Sequence, residues 1–155
     1  MDTTALLRKL NYKGHDPVLV IRPPEAFAPA VEALAREATV HQDAAAPKGC
    51  AFVIAFATRQ QQVDELAKQV APALEGDAIL WIAYPKQSSK RYRCEFNRDT
   101  GWDALGPAGY EPVRQVAIDE DWSALRFRRV AHIKKMTRSF AMTAEGKAKA
   151  AKGKG

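Results

Sequence analysis

The sequence predicts an α/β protein built on an open, mostly parallel sheet, with helices on both faces and an antiparallel C-terminal strand pair. Three observations predict it. Segments 17–21 (PVLVI), 50–57 (CAFVIAFA) and 78–84 (AILWIAY) are apolar without alternation, as strands are when both faces of a sheet are covered. Between the last two, Val63, Leu66, Ala67, Val70 and Leu74 step by three and four, the spacing of one helical face. Segments 113–118 and 123–130 flank an acidic turn. In the second of them Ser123, Leu125 and Phe127 share one side, and Trp122, Arg126 and Arg128 share the other. Alternating strands and helices of this kind make a Rossmann-like sheet through right-handed crossovers.

Taken in order, residues 1–16 read as an amphipathic lead-in with Leu6, Leu7 and Leu10 on one helical face. After the first strand, Arg22-Pro23-Pro24-Glu25 turns into a helix with Phe27, Val31 and Leu34 on one side. Pro29 falls in its first turn, where a missing N–H costs little. Segment 38–42 (ATVHQ) is a weaker, outer strand, and Pro47-Lys48-Gly49 is a turn. The helix over 59–74 is closed by Gly76. Asn97 caps a helix running to Leu105 that presents Trp102 and Leu105, and Gly106-Pro107 ends it. The domain is expected to span 1–140, with 141–155 an Ala/Gly/Lys-rich tail expected to be disordered.

At 155 residues with 46% hydrophobic side chains, the chain suits one domain with a real core. Its formal charge of +6 resembles a nucleic-acid binder's until it is located. From His132 onward there are seven Lys or Arg against the single acid Glu145, while residues 1–131 hold 17 basic and 17 acidic groups. The body is therefore neutral and the excess lies in the tail, where contact with nucleic acid would be salt-sensitive and blind to sequence. No apolar run approaches the length of about eighteen residues that a membrane span requires, and MDTTALLRKL lacks the pattern of a signal peptide. Cys50 and Cys94 fit neither a CxxC motif nor a disulfide framework, so the cytoplasm is the expected compartment.

The candidate site follows from the fold class. Ligands of open α/β sheets sit beyond the carboxyl ends of the strands. The loop 85–93 (PKQSSKRYR) emerges there and carries Lys86, Ser88, Ser89, Lys90, Arg91 and Arg93. Parallel strands bring Arg22 and Arg59 to the same edge. Hydroxyls, ammonium groups and backbone N–H groups converging there suit a phosphate or carboxylate. The competing reading is a polar surface loop that carries charge for hydration alone. Lys86, Ser88, Ser89 and Lys90, with Arg22 and Arg59 in support, are the candidate ligand-binding residues.

Other chemistries find less support. A nucleotide or adenosyl cofactor needs glycines in the first βα turn so that backbone approaches the ligand. Arg22-Pro23-Pro24-Glu25 has none, and its two prolines remove two donors. Asp43 stands where a ribose-binding acid would be, but a lone Asp in a loop is commonly solvated. His15, His41 and His132 have no metal-binding spacing, and Ser88 and Ser89 lack a glycine-flanked elbow. No cofactor and no metal is therefore expected. Asp119, Glu120 and Asp121 read as a solvated turn, and Arg98 as a partner of Asp99. Trp81, Trp102 and Trp122 fall at core-like positions.

LWIAYPKQSSK at 80–90 and NRDTGWDALGPAGYEPVRQVAIDEDWSALRF at 97–127 carry a resemblance. They resemble the C-terminal half of a group of small bacterial proteins of unknown function, with a strand ending in Pro-Lys, a helix, and a closing Asp-Trp-Ser (Asp121, Trp122, Ser123). That group is similar to a shortened class I methyltransferase. The resemblance implies a Rossmann-like sheet with a two-strand finish and implies no activity. Where methyltransferases place a glycine-rich cofactor loop, this chain has Arg22-Pro23-Pro24. Three functions follow as expectations: a non-catalytic module binding a small anionic ligand or protein partner at the carboxyl edge, an adenosylmethionine-dependent methyltransferase-like enzyme, or a nucleic-acid accessory protein acting through its tail.

Overall fold

The computed structural model describes residues 3–42, 46–74, 76–96 and 101–130. Its strands are β1 (Val18–Ile21), β2 (Val40–His41), β3 (Phe52–Phe56), β4 (Ile79–Pro85), β5 (Tyr110–Ala117) and β6 (Trp122–Arg129). Its α-helices are α1 (Thr3–Lys9), α2 (Ala28–Ala35) and α3 (Gln60–Gln69). The six strands form one sheet in the order β2-β1-β3-β4-β6-β5. β2, β1, β3 and β4 run parallel to their neighbours, whereas β6 lies antiparallel to both β4 and β5. The last strand is thus inserted between β4 and β5, and it alone among the described strands is reversed.

The continuous apolar runs are explained by burial on two sides. On one face Leu19, Ile21, Val53, Ala55, Leu80, Ile82, Leu125 and Phe127 pack against Val63, Leu66 and Ala67 of α3. On the other Val18, Val20, Phe52, Ile54, Phe56, Trp81 and Trp122 pack against Leu6 and Leu10 and against Ala30 and Leu34 of α2. Trp81 is fully buried and donates its Nε1–H to the Leu10 carbonyl at 2.8 Å, which fixes the lead-in helix to the sheet. The outer strand is present as the two residues of β2, paired with Val18 and Leu19.

Two helices differ from expectation. The helix starting at Gln60 stops at Gln69, and Ala71–Ala73 form a separate 3₁₀ turn. Pro72 has no N–H to continue the α-helical ladder. Over 101–105 the chain makes a 3₁₀ turn, Asp103–Leu105, in place of the expected α-helix, although Trp102 and Leu105 are buried as predicted. The proposed cap Asn97, with Arg98 and Asp99, lies outside the described residues, as do Asp43, His132 and the tail 141–155. No helix among the described residues is long and apolar enough to cross a membrane.

Candidate functional site

β1, β3 and β4 point the same way, so Arg22, Arg59 and the loop after Pro85 meet at one edge of the sheet. The chain steps from β1 outward to β2 and then back across β1 to β3, which makes the gap between the ends of β1 and β3 the topological switch point. Arg22 occupies that gap. Its backbone is left-handed, with φ of 52°, and its Nε–H donates to the Phe56 carbonyl at 3.3 Å. One side chain thereby ties the end of β1 to the end of β3.

The loop beyond β4 is a folded element. Lys86 N–H donates to the Asp121 carbonyl at 2.8 Å, continuing the β4–β6 pairing by one residue. Ser89 Oγ–H donates to Asp121 Oδ1 at 2.9 Å and accepts the N–H groups of Arg91 and Tyr92. A serine hydroxyl used this way closes a tight turn and sends the chain back across the sheet edge. Glu95 then bonds through its N–H to the Thr58 carbonyl at 3.0 Å, and its Oε2 accepts the Gln60 N–H at 2.9 Å. Its carboxylate sits at the N-terminus of α3, where unpaired N–H groups and the helix dipole favour negative charge. Gln62 Oε1 accepts the N–H groups of Thr58 and Arg59 and completes that cap.

This return path encloses a cleft of about 470 Å³ lined by Pro85, Lys86, Gln87, Ser89, Tyr92, Arg93, Cys94, Glu95 and Phe96. Neither Lys86 nor Arg93 forms an ion pair among the described residues, and the one carboxylate in the wall, that of Glu95, is engaged by α3. Burial pushes the Cys94 thiol above its ordinary value, and the charge of Glu95 adds to the rise against a bond from the Phe96 backbone. Such a thiol is held protonated and is a poor nucleophile. Among the described residues no group of three His, Cys, Asp or Glu is arranged to hold a metal ion.

Of the predicted residues, Lys86 and Ser89 line the cleft. Ser88 and Lys90 are exposed positions of the same loop, and Arg22 and Arg59 are exposed at the same edge without lining it. Tyr92, Cys94 and Glu95 enter the site because the chain turns back at Ser89. The aromatic set among basic residues in Lys90-Arg91-Tyr92-Arg93 was the available sequence signal for Tyr92. Nothing in the sequence pointed Glu95 at a helix start 35 positions earlier. The acidic turn proves structural: Asp119 Oδ1 accepts the N–H groups of Asp121 and Trp122, and Asp121 holds Ser89.

The residues at the switch point do not fit an adenosyl cofactor bound in the usual way. Pro23 and Pro24 offer no N–H, the Phe27 N–H is taken by the Pro24 carbonyl, and Glu25 places a carboxylate in the first turn. Arg22 covers the gap that backbone glycines would leave open.

No known family's sequence profile matches the chain, nor does any curated protein. Solved structures do match in fold. A SAM-dependent methyltransferase from Aquifex aeolicus superimposes with a TM-score of 0.55 at 13% identity, over 83% of this chain and 89% of that one. The N-methyltransferase NodS from Bradyrhizobium japonicum WM9 gives 0.51 at 16% identity, over 82% and 93%. The pyocyanin biosynthetic protein PhzM gives 0.53 at 14% identity over 82% of this chain, which spans only about half, 54%, of that one. The first two are named as methyltransferases, and at such identities the likeness is one of a Rossmann-like fold.

Proposed function

We propose that this methyltransferase-like fold serves as a non-catalytic module that binds a small anionic ligand in the cleft beyond β4. One observation carries the reading. Two cations with no ion-pair partner among the described residues, Lys86 and Arg93, line an open cleft at the carboxyl edge of the sheet, while at the switch point Arg22 reaches across to the Phe56 carbonyl. Arg93 supplies a planar fork for two oxygens of a carboxylate or phosphate, and Lys86 a compact charge. Gln87 adds an amide that both donates and accepts. Lys90 on the same loop and Arg59 at the same edge raise the local positive potential that draws an anion in, and Ser88 adds a neutral hydroxyl to the loop. The Ser89 hydroxyl shapes the site by holding the turn closed.

In the cleft wall burial raises the Cys94 pKa, which keeps it a neutral thiol, and the Glu95 carboxylate is engaged by the N-terminus of α3, which suits a site for an anion. Titration of an isotope-labelled chain with inorganic phosphate tests the site. Amide resonances of 86–96 are expected to shift, and Lys86→Ala with Arg93→Ala should weaken the affinity by about tenfold or more. Unchanged affinity in the double variant, or shifts confined to other elements, would remove the proposal.

A further inference from the structure

We infer that the ligand of this cleft is a planar aromatic anion, its ring against Tyr92 and its charged group between Lys86 and Arg93. The inference rests on the anion-binding reading above. A volume of about 470 Å³ falls among organic-ligand sites, which run from about 300 to 1,000 Å³. An inorganic oxyanion fills a small part of that space, since one water's share of the liquid is about 30 Å³. The remainder of the cleft has room for an organic group, and within a mostly polar lining Tyr92 is the part-exposed aromatic, beside the buried Phe96 and Pro85.

Tyr92 is the wall suited to a ring. It is half-buried and packed on a second ring, with its centroid 4.9 Å from that of Trp122 at an interplanar angle of 54°. Trp122 stands 5.2 Å from Phe56, edge to face, and Phe56 stands 4.9 Å from Phe27 in the same manner. A ring held by such a row loses little freedom when a second ring settles on it. Arg91, an exposed side chain, sets its guanidinium carbon 5.6 Å over the Tyr92 centroid. A ligand ring that stacks on Tyr92 takes the place of that guanidinium, which an exposed side chain can yield. The row also provides a reporter: Trp122 Nε1–H is buried, has no acceptor among the described residues, and belongs to the ring that packs on Tyr92.

Phenylphosphonate and methylphosphonate carry the same charged head and differ in the ring, so calorimetric titration of the full chain with each isolates the ring's contribution. The phenyl compound is expected to bind about tenfold tighter or more. Its binding should move the Trp122 indole N–H resonance, and the methyl compound should leave it in place. Tyr92→Phe should keep the preference, Tyr92→Leu should shrink it to about twofold, and Lys86→Ala should weaken both compounds alike. Equal affinities for the two compounds in the wild-type chain, both lost in Lys86→Ala, would overturn the aromatic assignment and leave the anion site standing. Binding of neither compound would overturn both.

Discussion

Arg22 is the residue on which the character of the sheet edge turns. A left-handed backbone on a non-glycine residue costs of the order of 1 kcal/mol, and here it aims the side chain so that Nε–H reaches the Phe56 carbonyl. Arg22→Ala should lose that bond and keep the strain, whereas Arg22→Gly loses the bond and relieves the strain. The glycine variant is therefore expected to be the more stable of the two by about 1 kcal/mol in urea unfolding. The reverse order would show that the backbone conformation is not strained. His15 makes a second prediction at this scale. Its ring rests 5.6 Å from Phe52 and 5.9 Å from Tyr12, and burial, with the charge of Lys13 adding, holds its pKa below the ordinary 6.5. The folded chain then favours neutral imidazole, while the unfolded chain takes up a proton near 6.5. Stability is full above that value and declines as pH falls from it through the lower folded value. Thermal melts should show this decline, and His15→Gln should flatten it. A melt independent of pH across that window in the wild-type chain would count against the burial of the ring.

Among elements, α3 and the loop after β4 depend on each other. The helix carries no acid in its first turn, and its N-terminal N–H groups are met by Gln62 from within and Glu95 from outside. Gln62→Ala should cost about 1 kcal/mol, close to the loss of an ordinary cap. Glu95→Gln keeps the shape and removes the charge, so it should cost about 0.3–1 kcal/mol and less at high salt. Both are read from denaturant midpoints, and the second should also perturb the cleft, which a charge-independent role for Glu95 would not do. Gly101 closes the far side of this junction. Its φ is 93°, and a Cβ there would stand 2.5 Å from Phe96 Cβ and 2.7 Å from Gln60 Oε1. The 3₁₀ turn Asp103–Leu105 follows from this tertiary seat, because the chain bends to bury Trp102 against Tyr84 and Phe96. Helical spacing of Trp102 and Leu105 described their burial correctly and the element around them incorrectly, since a 3₁₀ turn places i and i+3 on one side as well.

The whole molecule has a Rossmann-like sheet similar to that of solved methyltransferases and, at its switch point, Arg22 and two prolines in a turn without glycine. Adenosylmethionine titrated into the full chain is accordingly expected to give no heat of binding, and micromolar affinity would put methyl transfer ahead of the binding module. What the sequence by itself determined is the layering: unbroken apolar strands demand cover on both faces, helices of matching period supply it, and the carboxyl edge follows from parallel strands. That edge pointed to Lys86, Ser88, Ser89, Lys90, Arg22 and Arg59, of which Lys86 and Ser89 line the cleft. The tertiary structure alone decided which neighbours those residues meet. The insertion of β6 between β4 and β5 puts Asp121 within reach of Ser89, and the returning loop sets Tyr92, Arg93 and Glu95 around one cleft. The physical reason is range. Periodicity and composition report on contacts a few residues apart, whereas a site is made by hydrogen bonds such as Ser89 to Asp121 and Gln60 to Glu95, which join positions more than thirty residues apart and leave no local pattern.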